Sequence, residues 1–435
     1  MLKRNLLIIF PMAVAIIFSI LAIYAYGVNN LEFGDTQDYI NAANAFLNGT
    51  PYPRESIQHP MFRPPLFPLF IAAIWSIFPD STLAVKLAQA LLHAATVFIA
   101  FKIIYELTSK EIPAFLGALL CAVHPLLAGH TVDFYTEPLH TFLCALAMFW
   151  LIKFLKSDKS LNLYAVLTGI TFGLATLCRP AILGVAICLV AVIVLIQFVE
   201  LRKLKYLSAS ALLIASIFLT IAPWTYYNYR TTGEFILVND GFSYNLWLGN
   251  LPETIQLYEG GFQSKEENQR FADHVWGTVK IEKVNELEKT DNYSSLSFNE
   301  KEKVWRREAL ENLKQDYGLT ARLMIGKTWS FWTPFLNHFT YGKKVVALVA
   351  AFVIGIYVFG IYGASVIWKD NLGRKFVILL VVTFLVTTAI HVLIFGFVRY
   401  RVPNVDPYLS MLTGIAIWHL AAKFIPRLNS IEPDL

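Results

Sequence analysis

Between Asp35 and Arg63 the chain reads DTQDYINAANAFLNGTPYPRESIQHPMFR, a stretch that gathers acidic and hydroxyl side chains able to handle protons. Asp35, Asp38 and Tyr39 are spaced i, i+3, i+4, so a helix places them on one face, while Ile40, Ala43 and Leu47 recur at the spacing of a partly buried stripe. Asp133 and Glu137, then Arg179, then Arg399 and Arg401 stand at later boundaries between apolar runs. Carboxylates accept protons and guanidinium forks hold anions, so this set fits acid–base chemistry beside an anionic group. Plainer roles exist for each. Asp35 is also a good N-cap, with Gly49 and Pro51 stopping the helix it would start. In Thr136-Glu137-Pro138 the threonine can cap and the acid suits a helix dipole.

The elements that must position these residues are membrane helices. The 435 residues are 56% hydrophobic, 14% aromatic and only 15% charged, against roughly 25% charged in soluble domains. An apolar run from about Leu6 to Tyr26 follows Lys3-Arg4 and reads as an uncleaved anchor. Further spans are expected near 82–106, 112–129, 138–155, 161–178, 181–199, 206–226, 343–367, 376–397 and 404–422, about ten in all by the rule of roughly 20 residues per crossing. The run at 65–78, bounded by Pro64-Pro65 and Pro79-Asp80, is too short to cross and is placed as a re-entrant or interfacial helix. Cys121, Cys144, Cys178 and Cys188 sit in or at the ends of apolar runs without CxxC or histidine pairing, which argues against a disulfide framework or a zinc site.

Orientation follows from the lysines and arginines, which cytoplasmic loops retain. With the N-terminus inside, the inner turns collect Lys110; Lys153, Lys156 and Lys159; Arg202, Lys203 and Lys205; Lys369, Arg374 and Lys375; and Lys423 and Arg427. The outer turns then hold Asp133 and Glu137, Arg179, and Arg399 with Arg401, and the two long outer segments are 27–81 and 227–342. Almost every unusual polar residue is thereby gathered on one face. Arg399 and Arg401 could snorkel to headgroups, but two arginines on an outer helix end run against the charge bias and favour anion binding. Gln89, His93 and His391 lie within spans and are expected to hydrogen-bond between helices. The chain divides into an N-terminal module 1–226 with its first outer loop 27–81, an outer helical segment 227–342, and C-terminal spans with a short tail, 343–435.

Within 227–342 hydrophobicity falls. Phe298 to Asp316 has the mixed-charge pattern of a solvated helix, and Leu319 to Thr333 ends in an aromatic cluster, Trp329, Phe331 and Trp332, of the kind found at membrane interfaces. The segment reads as a small helical lid. It carries no GxGxxG and no P-loop, and no nucleic-acid partner is expected.

Taken in order, the motifs resemble the GT-C class of membrane glycosyltransferases, similar to dolichyl-phosphate-mannose protein mannosyltransferases and aminoarabinose transferases. The resemblance rests on Asp35-x-x-Asp38-Tyr39 with Gly49 and Tyr52, Arg63-Pro64-Pro65-Leu66-Phe67-Pro68, His124-Pro125 with Thr136-Glu137, and Arg179-Pro180. It continues with Pro223-Trp224 and Asn228-Tyr229-Arg230, then Lys327 with Phe331 and Trp332, and closes on Arg399-Tyr400-Arg401-x-Pro403. No single motif is specific, whereas seven in order at matching topological positions are. The chain departs from the pattern in its first loop, where the second carboxylate is three residues on, at Asp38, rather than adjacent to Asp35.

The resemblance implies an all-α polytopic GT-C-like fold in the plasma (inner) membrane, N-terminus cytoplasmic and active site on the outer face. It implies a polyprenyl-phosphate sugar as donor and a glycan, lipid or protein hydroxyl as acceptor. Asp35 would be the catalytic base, Asp38, Tyr39, Asp133 and Glu137 would bind acceptor or sugar, and Arg63, Arg179, Arg399 and Arg401 would hold the donor phosphate. No cofactor is required; the carboxylates could hold a divalent cation, but their spacing does not demand one. The competing classes are a transporter or flippase of lipid-linked saccharides and a glycan ligase. A transporter places ionisable groups at the bilayer midplane and shows repeated halves, and neither is seen here; for a ligase, His274 alone in the long segment is thin support.

Overall fold

A computed structural model describes residues 2–53, 63–157, 159–199, 205–239, 241–260, 264–336 and 338–425. Arg202, Lys203, Arg427 and positions 54–62 of the first loop lie outside the described residues. Helix α1 (Leu2–Tyr26) leads to α2 (Thr36–Asn48) and α3 (Leu66–Trp75), then α4 (Thr82–Thr108), α5 (Glu111–Ala122), α6 (Pro125–Gly129), α7 (Glu137–Lys156), α8 (Leu161–Cys178), α9 (Ile182–Val199) and α10 (Lys205–Thr232). Among the described residues six α-helices follow before the chain re-enters the apolar bundle: α11 (Phe242–Gly249), α12 (Ile255–Glu259), α13 (Lys265–Asp273), α14 (Lys280–Asp291), α15 (Phe298–Gln315) and α16 (Tyr317–Trp332). The last are α17 (His338–Ile367), α18 (Asn371–Leu393), α19 (Val398–Arg401) and α20 (Asp406–Phe424).

Among the described residues seven helices, those containing Asn5–Tyr26, Thr82–Thr108, Glu137–Lys156, Leu161–Cys178, Tyr206–Thr232, Gly342–Ile367 and Asn371–Leu393, are long and apolar enough to cross a bilayer. Exposed Ile9, Ile17 and Leu21 on α1 and Leu348, Val358 and Ile361 on α17 need an apolar solvent, as lipid-facing side chains do. The chain is an all-α polytopic integral membrane protein.

Of the three other expected spans, α9 runs Ile182–Val199, and the other two are shorter or more polar, each for a local reason. The run 112–129 breaks at His124, which is extended (φ −66°, ψ 115°) ahead of Pro125, since proline disfavours helical backbone in the residue before it. The described apolar part of α9 is only Ile182–Ile196. Helix α20 carries Asp406, Ser410 and Thr413 and is buried along nearly its whole length; facing protein instead of lipid, it can keep polar residues that find partners. Small residues admit it. A Cβ on Gly414 would strike the backbone of Gly117 on α5, and one on Gly363 of α17 would strike the Leu412 carbonyl, the close approach that glycine permits between membrane helices.

The run at 65–78 is the ten-residue helix α3, as its length required. Segment 242–309 has a core of its own in which Tyr244, Trp247, Leu251, Leu287, Tyr293 and Trp305 pack together. The Trp247 and Trp305 rings lie 4.5 Å apart, and Trp305 Nε1 donates to Tyr293 Oη at 2.8 Å. Helix α15 starts at a capping box, Ser297 with Glu300. Helix α17 kinks at Gly342 (φ 68°), which sets off the final bundle helices.

His93 accepts the expected interhelical role, meeting Ser19 Oγ of α1 at 2.9 Å, and Gln89 Nε2 donates to the Asp133 carbonyl at 2.7 Å. His391 differs: its ring stacks on Tyr400, centroids 4.5 Å apart and nearly parallel.

Candidate functional site

Asp35 stands at the N-cap position of α2 in helical backbone (φ −85°, ψ −8°), and its side chain accepts no cap hydrogen bond. The carboxylate turns instead toward Arg63, whose Nη2 lies 2.7 Å from Asp35 Oδ1 and 2.8 Å from Asp38 Oδ2; Nε reaches Asp38 Oδ2 at 3.0 Å. One guanidinium thus ties together the two acids that helical spacing put on one face. Gly49, left-handed at φ 63°, ends the helix as expected. Buried Tyr39 packs edge-on to Phe67 of α3, ring centroids 5.0 Å apart, and lies under the Arg63 guanidinium. Burial would weaken the hold of Arg63 on its proton, but Asp35, Tyr39 and Asp38 outweigh it and keep the group firmly cationic. Burial raises the Tyr39 phenol above its ordinary value, so it serves as a hydrogen-bonding group and not as an anion.

Arg399 comes from the far end of the chain, on the turn α19 that follows α18. Its Nη2 is 3.8 Å from Asp35 Oδ2 and its Nε 3.5 Å from Glu137 Oε1. These are contacts of charge, longer than hydrogen bonds, and Arg399 Nε is buried without a hydrogen-bond partner among the described residues. The guanidinium sits over the Phe33 ring at 4.5 Å and beside Tyr400 at 4.9 Å. Arg179, at the α8–α9 turn, donates to Glu137 Oε1 at 2.6 Å and lies 5.0 Å from the other side of Tyr400. Glu137, 1% exposed, therefore aligns two arginines. Below Arg179 a cleft between α7, α9 and α18 is lined by His140, Ile182, Ile390, His391 and Tyr400.

Two expected members stand apart. Asp133 was expected to touch acceptor or sugar, yet its carboxylate is saturated by the protein: the Glu32 and Phe33 amides donate to Oδ2 at 2.7 and 2.9 Å, the Phe134 amide and Thr36 Oγ1 to Oδ1 at 2.6 and 3.0 Å, and Tyr26 Oη to Oδ2 at 3.3 Å. It pins the strand of chain leading into α2, and so holds Asp35 from behind. Asp133→Ala would orphan these buried donors, so a loss on the order of 3 kcal/mol in thermal unfolding is expected, with Asp133→Asn milder. Arg401 was expected on the donor phosphate. It is fully buried, bidentate to Asp406 (Nε–Oδ1 2.8 Å, Nη2–Oδ2 3.1 Å), and its Nη1 donates to the carbonyls of Phe331 and Thr333 at 3.2 and 2.9 Å. Both placements have one cause: a buried charge must be paired inside the protein, and these two are.

Sequence reasoning passed over Phe33 and Tyr400, the rings that bracket Arg399, and Asp406, the partner of Arg401. Tyr400 stands between the two arginines in the motif already singled out, and Asp406-Pro407 is an acid at a helix start five residues on, so both left a signal. Phe33 left none. Among the described residues no group of three or more His, Cys, Asp or Glu side chains gathers as a metal ligand set.

Residues 62–227 match the family described as "Dolichyl-phosphate-mannose-protein mannosyltransferase". A comparison with curated proteins finds no match. Among solved structures, the fold is similar to the apo form of the oligosaccharyltransferase of Archaeoglobus fulgidus, with a TM-score of 0.59 at 14% identity over 99% of this chain and 52% of that one. It is similar also to the archaeal oligosaccharyltransferase AglB of Archaeoglobus fulgidus in complex with an inhibitory peptide and a dolichol-phosphate, with a TM-score of 0.57 at 14% identity over 98% and 52% of the two chains. The chain thus spans about half the length of these structures. ArnT from Cupriavidus metallidurans bound to undecaprenyl phosphate aligns at a TM-score of 0.43 and 12% identity over 98% of this chain and 80% of that one, a score too low to carry weight. The fold implied by the GT-C resemblance is the fold observed.

Proposed function

We propose that this protein is an inverting glycosyltransferase that moves a sugar from a polyprenyl-phosphate donor to the hydroxyl of a glycan, lipid or protein acceptor at the outer face of the membrane. The observation that carries the reading is the meeting of Asp35 and Arg399, residues from opposite ends of the chain, 3.8 Å apart, with the Asp35 carboxylate free of any capping duty. The family match and the fold similarity support the reaction class. The outer-face assignment is supported by the charges: Lys153 and Lys156 pair with Glu106 at the opposite end of the bundle from this cluster.

In the proposed reaction the acceptor oxygen forms its bond to the anomeric carbon as the bond from that carbon to the phosphate oxygen breaks. The bonding electrons leave with the polyprenyl phosphate, and the hydroxyl proton passes to Asp35. Attack opposite the leaving group inverts the anomeric centre. Arg399, with an unsatisfied Nε, and Arg179 meet the charge that grows on the departing phosphate, where fixed donors act most strongly. Arg63 and Glu137 hold these groups in register, and Asp38 and Tyr39 line the acceptor side. No step is routed through a divalent cation, because Asp35, Asp38 and Glu137 each already face a guanidinium.

Purified protein in detergent, given a polyprenyl-phosphate sugar and an acceptor, should release polyprenyl phosphate without any membrane gradient. A flippase would move the lipid between vesicle leaflets and leave the glycosyl bond whole, and that result would overturn the proposal.

A further inference from the structure

Helix α16 buries one face, Leu323, Lys327 and Phe331 at i, i+4, i+8, and sets a lysine where an apolar side chain would serve the packing. Lys327 is fully buried. Its Nζ donates to Asn250 Oδ1 at 2.6 Å, and among the described residues it has no other hydrogen bond and no ion pair. Burial pushes the amine down to about 7, and no neighbouring charge opposes the shift. Taking an amine out of water costs free energy that a leucine would not, and the reaction proposed above gives this one no part.

Its partner shows what the lysine holds. Asn250 follows the last residue of α11, is buried, and donates its amide to two carbonyls, Leu246 at 2.7 Å in the last turn of α11 and Leu393 at 2.8 Å at the end of α18. Lys327 is therefore tied through Asn250 to the point where α18 stops. From there residues 394–397 lead into α19, and they have no slack. A Cβ on Gly249 would strike the Ile394 carbonyl, and one on Gly396 would strike the carbonyl of Lys327 itself, so the segment is held between α11 and α16 at backbone contact. Phe397 stacks on Tyr258 of α12, ring centroids 5.8 Å apart, and Arg399 is two residues further on. The same face of α16 reaches the arginines by a second route: Phe331 stacks on His391, centroids 6.2 Å apart, and His391 stacks on Tyr400, which lies against both Arg179 and Arg399.

We infer that Lys327 is a positioning residue for the donor phosphate: with Asn250 it clamps the segment between α18 and α19 and so fixes where Arg399 stands. A leucine could pack α16 but could not hold Asn250 Oδ1, and an asparagine loose at that end is not fixed for its donation to Leu393. The inference rests on the glycosyl-transfer reading above, in which Arg399 meets the phosphate, and adds the residue that sets the place of that guanidinium.

Calorimetric binding of farnesyl phosphate to the full chain in detergent tests the clamp without requiring transfer. Lys327→Met keeps an apolar stem and removes the donor. It should weaken binding about tenfold, the size of one displaced charged hydrogen bond, while the thermal midpoint stays within a few degrees, because the lost hydrogen bond and the relieved burial of the amine offset each other. Asn250→Ala breaks the same link from the other side and should give the same loss, with the double variant binding no worse than either single one. In Arg399→Gln, where Arg179 remains to bind the anion, Lys327→Met should change the affinity by less than about twofold. A clamp that works through Arg399 requires that loss of effect, which a merely structural lysine would not show. Binding unchanged by Lys327→Met, or losses from Lys327→Met and Arg399→Gln that multiply, would overturn the inference. If one clamp variant fails to fold the other decides, and if both fail the pair is scaffold and the inference falls. Donor cleavage by the parent, measured in parallel, keeps the two ideas separable: cleavage with an uncoupled binding cycle sinks the clamp alone, whereas no cleavage with any acceptor sinks glycosyl transfer itself.

Discussion

Asp35→Asn should lower transfer by about 10²–10⁴-fold, the usual contribution of a positioned general base, while expression and thermal stability stay close to those of the parent. The change keeps shape and removes charge. Helix α2 does not depend on the carboxylate, because the Asp35 side chain accepts no cap bond and the Thr36 amide donates to the Phe33 carbonyl at 2.9 Å. Arg63 keeps two hydrogen bonds to Asp38, so it is not left as an unpaired buried cation. A purely structural Asp35 would give the reverse pattern, lost stability with turnover per folded molecule within a few-fold of the parent. Asp38→Asn provides the internal comparison. It shares Arg63 with Asp35 but has no ion pair with Arg399, so its loss in turnover, read per folded molecule from initial rates, should be the smaller. Rates that rank the other way would move the base to Asp38.

Much of the fold was legible because hydropathy measures what a helix shows to lipid. Helices α1, α17 and α18, with their outward-facing leucines, valines and isoleucines, stand out for that reason. The same measure fails where a helix sees only protein. Helix α20 packs inside the bundle against Gly117, Gly360 and Gly363, so its composition is free to resemble a soluble core, and only neighbours distant in sequence reveal that it belongs to the bundle. The break at His124 was locally legible, from a proline in the middle of an apparent span, but a window average smooths over one residue.

In the site, sequence spacing identified which polar residues were unusual without saying what each would meet. Asp133 and Glu137 looked alike as acids at the start of one span. Glu137 aligns two arginines at the centre of the cluster, while Asp133 spends both oxygens on backbone amides and hydroxyls. The difference depends on where the chain before α2 folds back, a contact about a hundred residues away in sequence. The cap reading of Asp35 failed in a similar way: the residue occupies the cap position, but Arg63 offers its carboxylate a stronger, charged partner.

The two arginines of Arg399-Tyr400-Arg401 should separate completely under mutation, although they look equivalent in the sequence. Side chains two apart on a helical turn do not share a face, so α19 sends Arg399 to the cluster and Arg401 into the seam behind α16 and α20. Arg399→Gln should fold normally and lose most of its turnover, with weaker binding of polyprenyl phosphate, because it removes charge from a side chain still 27% exposed. Arg401→Gln should cost about 3–5 kcal/mol, the range for breaking a buried pair and leaving its partner uncompensated, since Asp406 is fully buried and would lose the fork that satisfies both its oxygens. Arg401→Lys should rescue little, because an ammonium cannot meet both Asp406 oxygens and the carbonyls of Phe331 and Thr333 together. The decisive variant removes both charges: Arg401→Met with Asp406→Leu should recover much of the stability, as apolar replacement of a buried ion pair does elsewhere. If that double variant folds and transfers sugar, Arg401 supports the site only by holding α16 and α20 together. If it folds with native stability and is inactive, Arg401 acts on the reaction and its assignment to the scaffold is wrong.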